Sequence, residues 1–374
     1  MEKLLSVHLS YLDRLNGGSD ATVVKTACVA ATAALTIYLP LLGFVARSTS
    51  IRNAFEIYGP ILRLTRSALG SDKRLILSSE WEYSPFTYVG IQELPEYLLI
   101  GLPAPESANP LLLPIAGHEL GHSVWRKSLQ GKELTQKVQS ALVDALSTQY
   151  WSEFSRLFDV ADPTRLTSDL FVWNYWQPSF EFAKRQLEEL FCDAFGIRLF
   201  GSAFGHAFAY LLSPNVGGST RSPHYPNMKR RAKYVVEASG FYGCEHDQMF
   251  VDRFEDLPEP FSIGSREHLL LTVADQVVQD FVVDARVAAS ECADSASLPM
   301  PNSDEAKRLA LLFRTKMIPG SDSLSLEAIL NAGWLTYHDD DLWNSRPEIE
   351  NRDHLLTEIL LKSIEVLEFN AITK

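Results

Sequence analysis

The chain has 374 residues, 46% of them hydrophobic, enough to bury a sizeable core in one large domain or two to three smaller ones. Its net charge of -13 argues against a general binder of nucleic acid or of anionic membrane surfaces, both of which are themselves negative. The four cysteines, Cys28, Cys192, Cys244 and Cys292, form no CxxC pair, so no disulfide framework or cysteine zinc site is written here and a reducing cytoplasm is expected.

Residues 1 to 72 predict a helical region, with apolar positions at helical spacing in EKLLSVHLSYLDRL and IRNAFEIYGPILRLTRSAL, broken by NGGSD and Pro60. The start of the chain lacks the basic, apolar and small-residue parts of a secretory signal, so export is not expected. Residues 26 to 46 carry no charge over 21 positions and are long enough to span a bilayer, but Ala and Thr dominate and Pro40 and Gly43 interrupt them. The reading adopted is a buried helix of a soluble protein. The alternative is a single membrane anchor, with Arg47, Arg52, Arg63 and Arg66 holding the bulk of the chain on the cytoplasmic side.

From 73 to 102 the texture changes to KRLILSS, FTYVGI and EYLLIGLP, read as strands of a small sheet, the last as the edge of a groove. A helix is expected from Asn109-Pro110 to about Gln130, and others at 132–160 and 178–200, with a short one at 166–176. Further helices are expected at 203–212 and 227–239, the latter placing the basic run MKRRAK on a helix face. The glycine pair at 217–218 lacks a phosphate-binding spacing. After the linker DLPEPFSIG come helical patches at 264–289, 303–316, 324–332 and 352–369. The predicted fold is mainly α with a small β-sheet (α+β), with a helical region at 1–72, a central domain at 73–245 and a helical C-terminal region at 246–374.

The chemistry lies in His118-Glu119-Leu120-Gly121-His122, an HExxH pattern. On a helix, residues i and i+4 share a face, so two imidazoles can converge on one zinc ion, and Glu119 is placed to take a proton from a water on the metal. Gly121, costly in mid-helix, implies that something packs closely against it. Position 128 is Ser, so the third histidine of the metzincin pattern is absent. QLEELFCDAFGIRLFG offers a carboxylate instead: Glu189 as third ligand, with Asp193 one turn later to orient a ligand histidine. Glu188 is the competing ligand.

HELGH followed by Glu-x-x-x-Asp on a later helix resembles the gluzincin zinc metallopeptidases, and distantly the CAAX prenyl endopeptidase and heat-shock membrane peptidase branch. The resemblance covers roughly residues 96 to 232, and it implies a zincin-like core. That branch places a His-Pro and, six positions after the His, an Arg beyond the third ligand; here SPHYPNMKRR supplies His224, a displaced Pro226 and Arg230. The resemblance thus implies that His224 hydrogen-bonds the oxyanion and that Arg230 orients the site, with Tyr225 a weaker oxyanion candidate.

Two functions follow. The first is a zinc-dependent endopeptidase acting on polypeptides, and the second is an interaction or sensor protein on a metalloprotease-like scaffold, gated by the terminal helices. YHDDDLW is read as a solvated helix start rather than a second metal site, and His206 as a core histidine rather than a ligand.

Overall fold

Three helices, α1 (Glu2–Asp13), α2 (Ala21–Ser50) and α3 (Tyr58–Leu69), precede strands β1 (Arg74–Glu80), β2 (Phe86–Tyr88) and β3 (Tyr97–Pro103). The computed structural model describes residues 2–15, 20–50, 53–81, 83, 85–88, 95–214, 219–244, 249–320 and 324–373. The glycine pair at 217–218, most of NGGSD and the end of FTYVGI lie outside the described residues.

Strand order is β1-β3-β2, with β1 parallel and β2 antiparallel to β3. The two-residue period of a strand decides what β3 covers. Leu98, Ile100 and Leu102 enter the main core, while Leu99 joins Leu41 and Phe44 of α2 on the other face. The most apolar strand therefore takes the centre, and the groove edge belongs to β2 rather than to EYLLIGLP as expected.

The buried-helix reading of residues 26–46 is corrected. They are helical, but among their described side chains only Ala27, Ala31, Leu41 and Phe44 are buried, and Val29 and Leu39 are 61% and 60% exposed. The C-terminal half of α2 contacts the sheet, where Phe44 meets the rings of Phe86 and Tyr88 edge-on. By length and composition α2 is long and apolar enough to cross a membrane.

Helix α4 (Ile115–Lys127) carries the HExxH pattern. It begins later than expected, because Asn109 caps a 3-10 turn at Pro110–Leu112, and it ends sooner, because Ser128 leaves helical geometry to cap α5 (Leu129–Ser147) through Gly131 N–H. After α6 (Trp151–Phe158) and α7 (Arg165–Ser168), α8 runs unbroken from Leu170 to Phe200. The break expected before residue 178 does not occur. Pro178 lies inside α8, held by packing on both sides: Trp176 donates from Nε1 to Leu166 O, and buried Ser179 donates to Leu270 O.

Gly201, at φ 58°, turns the chain into α9 (Ser202–Leu212). Beyond it lie α10 (Met228–Phe241), α11 (Arg266–Asp280), α12 (Val282–Ser295), α13 (Ser303–Arg314), α14 (Leu326–Tyr337), α15 (Asp340–Asn344) and α16 (Arg352–Thr373). Asp339 caps α15 and accepts from Leu342 N–H, so YHDDDLW forms a helix start. One apolar core extends from Ile57 to Ile364, and α11 and α12 pack directly on α8. The 245/246 boundary therefore marks no break in packing.

Candidate metal centre

Glycines set the distance between α4 and α8. A Cβ on Gly121 would lie 3.0 Å from Cys192 Cα, and one on Gly117 would lie 2.8 Å from the Phe200 ring. The close approach inferred for Gly121 is thus with α8. It brings the His118 and His122 imidazoles against the carboxylates of α8, with the two helices running antiparallel: residue 118 meets 193, and 122 meets 188.

Every ring nitrogen of this pair faces a carboxylate. His118 Nδ1 lies 2.8 Å from Asp193 Oδ1 and His122 Nδ1 lies 3.0 Å from Glu188 Oε1. The two Nε2 atoms turn to the two oxygens of Glu189, at 3.4 and 3.6 Å. Donors about 2.1 Å from a tetrahedral ion lie roughly 3.4 Å apart, close to the distance of each imidazole Nε2 from Glu189. Glu188, weighed from sequence as a rival ligand, instead engages the far nitrogen of His122. Its neighbours Arg126, at 3.2 Å, and Arg185, at 3.6 Å, keep it ionised: although burial raises its pKa, His122, Arg126 and Arg185 lower it below the usual value.

Cys192 is the other metal-capable group here, since its sulfur and one ligand atom from each histidine lie within 4.8 Å of one another. Burial pushes its thiol well above the ordinary range, which disfavours the thiolate a metal needs. Glu189 is the better donor because it is already charged. Burial opposes that charge, but Arg231 and the histidines outweigh it and bring the pKa to about 2.

Arg231 is the residue that the sequence reading missed. Its guanidinium donates to both oxygens of Asp193, at 2.7 and 2.8 Å, lies 3.0 Å from Glu189 Oε2, and is 4% exposed. Arg230, the expected orienting residue, points outward at 43% side-chain exposure toward Asp275 Oδ2, 3.6 Å away. Helical periodicity held the signal: Arg231 falls on the buried stripe Arg231, Ala232, Val235, Ala238, and Arg230 does not. Counting six positions from His224 selected the wrong neighbour.

His224 is likewise not brought to the site. It is exposed, with its ring edge-on to Phe182 at 5.5 Å. Tyr225 lines the cleft, its ring 5.6 Å from the Arg231 guanidinium. A buried network pins this segment: Gln186 donates to Pro223 O and Asp275, and Arg221 makes two bonds to Asp275, at 2.7 and 2.8 Å. The Glu189 charge, with burial, raises the Tyr225 phenol to about 12, so it remains a donor at neutral pH. His206 stacks on Trp334, lies tilted against His338 at 4.8 Å, and does not line the cleft.

Compared with known proteins, the chain matches no family model, no curated protein and no solved structure.

The centre opens into a cleft of about 670 Å³. Edge strand β2 contributes Phe86 and Thr87 to one wall, and among the described residues the lining begins at Tyr83 and ends at Leu257. Glu119 is 3% exposed, and among the described residues no donor meets its Oε2. Burial raises its pKa, an effect that the neighbouring histidines partly offset. Glu119 thus lines the cleft beside the two imidazoles with one buried carboxylate oxygen left without a donor among the described residues.

Proposed function

We propose that the chain is a zinc-dependent peptidase, with His118, His122 and Glu189 holding the metal. The observation that carries this reading is the convergence of both imidazole Nε2 atoms on Glu189 while both Nδ1 atoms engage other carboxylates. Such a carboxylate fixes the tautomer of a histidine and strengthens it as a ligand. Zinc, when bound, acidifies water and polarises a peptide carbonyl.

The remaining steps belong to the chain's own groups. Glu119, with a raised pKa and an unpartnered oxygen, accepts the proton of the attacking water and returns it to the departing amine. Tyr225 donates a hydrogen bond to the carbonyl oxygen as it gains charge. Arg231 neutralises Asp193 and Glu189 so that both stay ionised in a buried place. The edge of β2 offers backbone groups to an extended substrate. The alternative, a scaffold gated by the terminal regions, draws no support on the N-terminal side, where the described lining of the cleft includes no residue before Tyr83, while Phe254, Glu255 and Leu257 of the C-terminal region do line it.

Metal analysis beside a peptide-cleavage assay tests the proposal. Wild type should hold one zinc per chain, Glu189→Ala none, and Glu119→Gln should keep the metal while losing about 100-fold or more in rate. A folded wild type, purified without chelator and containing no zinc, would sink it.

A further inference from the structure

The cleft is polarised along α4. At the His118 end stands the α9 wall: Phe204 stacks parallel to the His118 ring at 6.5 Å, and Leu211 and Leu212 continue the apolar surface. Glu255, which also lines the cleft, follows Phe254, and Phe254 packs on Phe208 of the same wall. This end is mainly apolar, with Glu255 beside it and the Arg231 guanidinium 5.2 Å from the Phe208 ring.

The His122 end has the opposite character. Arg126 lies one helical turn beyond His122, and Arg185 one turn before Glu189; because α4 and α8 run antiparallel, both arginines meet at this end and both line the cleft. Their side chains are 39% and 46% exposed, while Glu188 between them is 3% exposed. One buried carboxylate thus faces two half-exposed guanidinium groups, leaving an excess of one positive charge. Each guanidinium carries five N–H donors, and its contact with Glu188, through Nε of Arg126 and Nη1 of Arg185, leaves part of the fork directed elsewhere.

We propose that Arg126 and Arg185 form a carboxylate-binding subsite, so that the preferred substrates are peptides with an apolar side chain on the His118 side of the scissile bond and a carboxylate on the His122 side. This rests on the peptidase reading and names the substrate class of that same site. Paired guanidinium groups bind a carboxylate by charge-assisted, often bidentate hydrogen bonds, which a neutral side chain cannot replace. The carboxylate can come from an Asp or Glu side chain or from the end of a peptide.

Binding to the Glu119→Gln protein, loaded with zinc and followed by calorimetry, tests the subsite without relying on turnover. Three matched peptides are compared: one with an acidic side chain and an amidated end, one neutral with a free C-terminal carboxylate, and one neutral and amidated. At least one carboxylate-bearing peptide should bind about tenfold tighter than the neutral amidated one, and the advantage should shrink at high salt. Which of the two binds tighter identifies the source of the carboxylate. Adding Arg126→Gln and Arg185→Gln should abolish the preference, and the corresponding Lys pair should restore part of it. In the cleaving enzyme the Gln pair should raise KM for the tighter-binding carboxylate peptide and leave the neutral amidated one unchanged, whereas a merely structural hold on Glu188 would lower kcat for all three. Equal binding of the three peptides, or a preference that survives in the Gln pair, overturns the subsite. Zinc-loaded wild type that cleaves no peptide overturns the peptidase reading instead.

Discussion

Arg231 shows how much one side chain can decide at the scale of a residue. It is the one guanidinium in contact, among the described residues, with both Asp193 and Glu189, and all three are buried. Removing one partner from a buried ionic group costs far more than the pair contributes, because an uncompensated charge remains. Arg231→Met should therefore destabilise the metal-free protein by about 3–5 kcal/mol in urea unfolding, and Arg231→Lys should recover little because it lacks the planar fork. A loss below about 1 kcal/mol would show that the carboxylates find other partners.

The same group of charges sets a pH dependence. Burial works against ionisation at each site, but Glu189 and Asp193 are still brought to about 2, and His118 is held at about 10 by Asp193 and Glu189. The carboxylate contributions are complete above the ordinary values of 4.5 and 3.8 and are lost as pH falls toward about 2. The His118 contribution is complete below 6.5 and is lost as pH rises toward about 10. Metal-free protein should thus melt highest between pH 4.5 and 6.5. The stabilisation given by added zinc should grow with pH above that window, since the metal displaces the proton. Melting temperatures with and without chelator check both statements, and a metal-free maximum at pH 9 contradicts them.

At the scale of elements, the site is a crossing of two helices. Gly121 and Gly117 on α4 allow the approach to Cys192 and Phe200 of α8, and the imidazole–carboxylate distances follow from it. Gly121→Val should push the helices apart, costing about 1–3 kcal/mol and weakening zinc binding, while retained affinity would mean that the crossing can relax. HELGH, the Glu189–Asp193 pair and the glycine between the histidines were legible in the sequence because helical spacing is a local property. Glu188, Arg126 and Arg185 were not read as one cluster, because their meeting depends on the antiparallel sense of two helices, which no local pattern states. The edge strand was misassigned for a similar reason: EYLLIGLP is the most apolar run, and apolarity belongs to a central strand.

For the whole molecule, the composition and periodicity of the chain specify a mainly helical fold with a small sheet, but not how far the core extends. Residues 246–374 read as a separate helical region, yet Val273, Ala274 and Val277 of α11 and Ala285, Ala289 and Ala293 of α12 belong to the same core as α8. A fragment of residues 73–245 would expose the face of α8 that these helices cover, so it should show no cooperative unfolding transition by circular dichroism. A sharp transition in that fragment would mean that the central region folds alone.

From Gln186 to Phe200 every side chain of α8 is buried, with no position turned to solvent. Ordinary helices drift under selection along an outward stripe that repeats about every 3.6 residues. Across these fifteen positions there is no such stripe, so a family of descendants of this chain would differ least here and would show no helical rhythm in what it permits. The ligand Glu189 and its neighbours Glu188 and Asp193 would be hard to pick out by their constancy alone, since the purely apolar positions around them are held as tightly for reasons of packing.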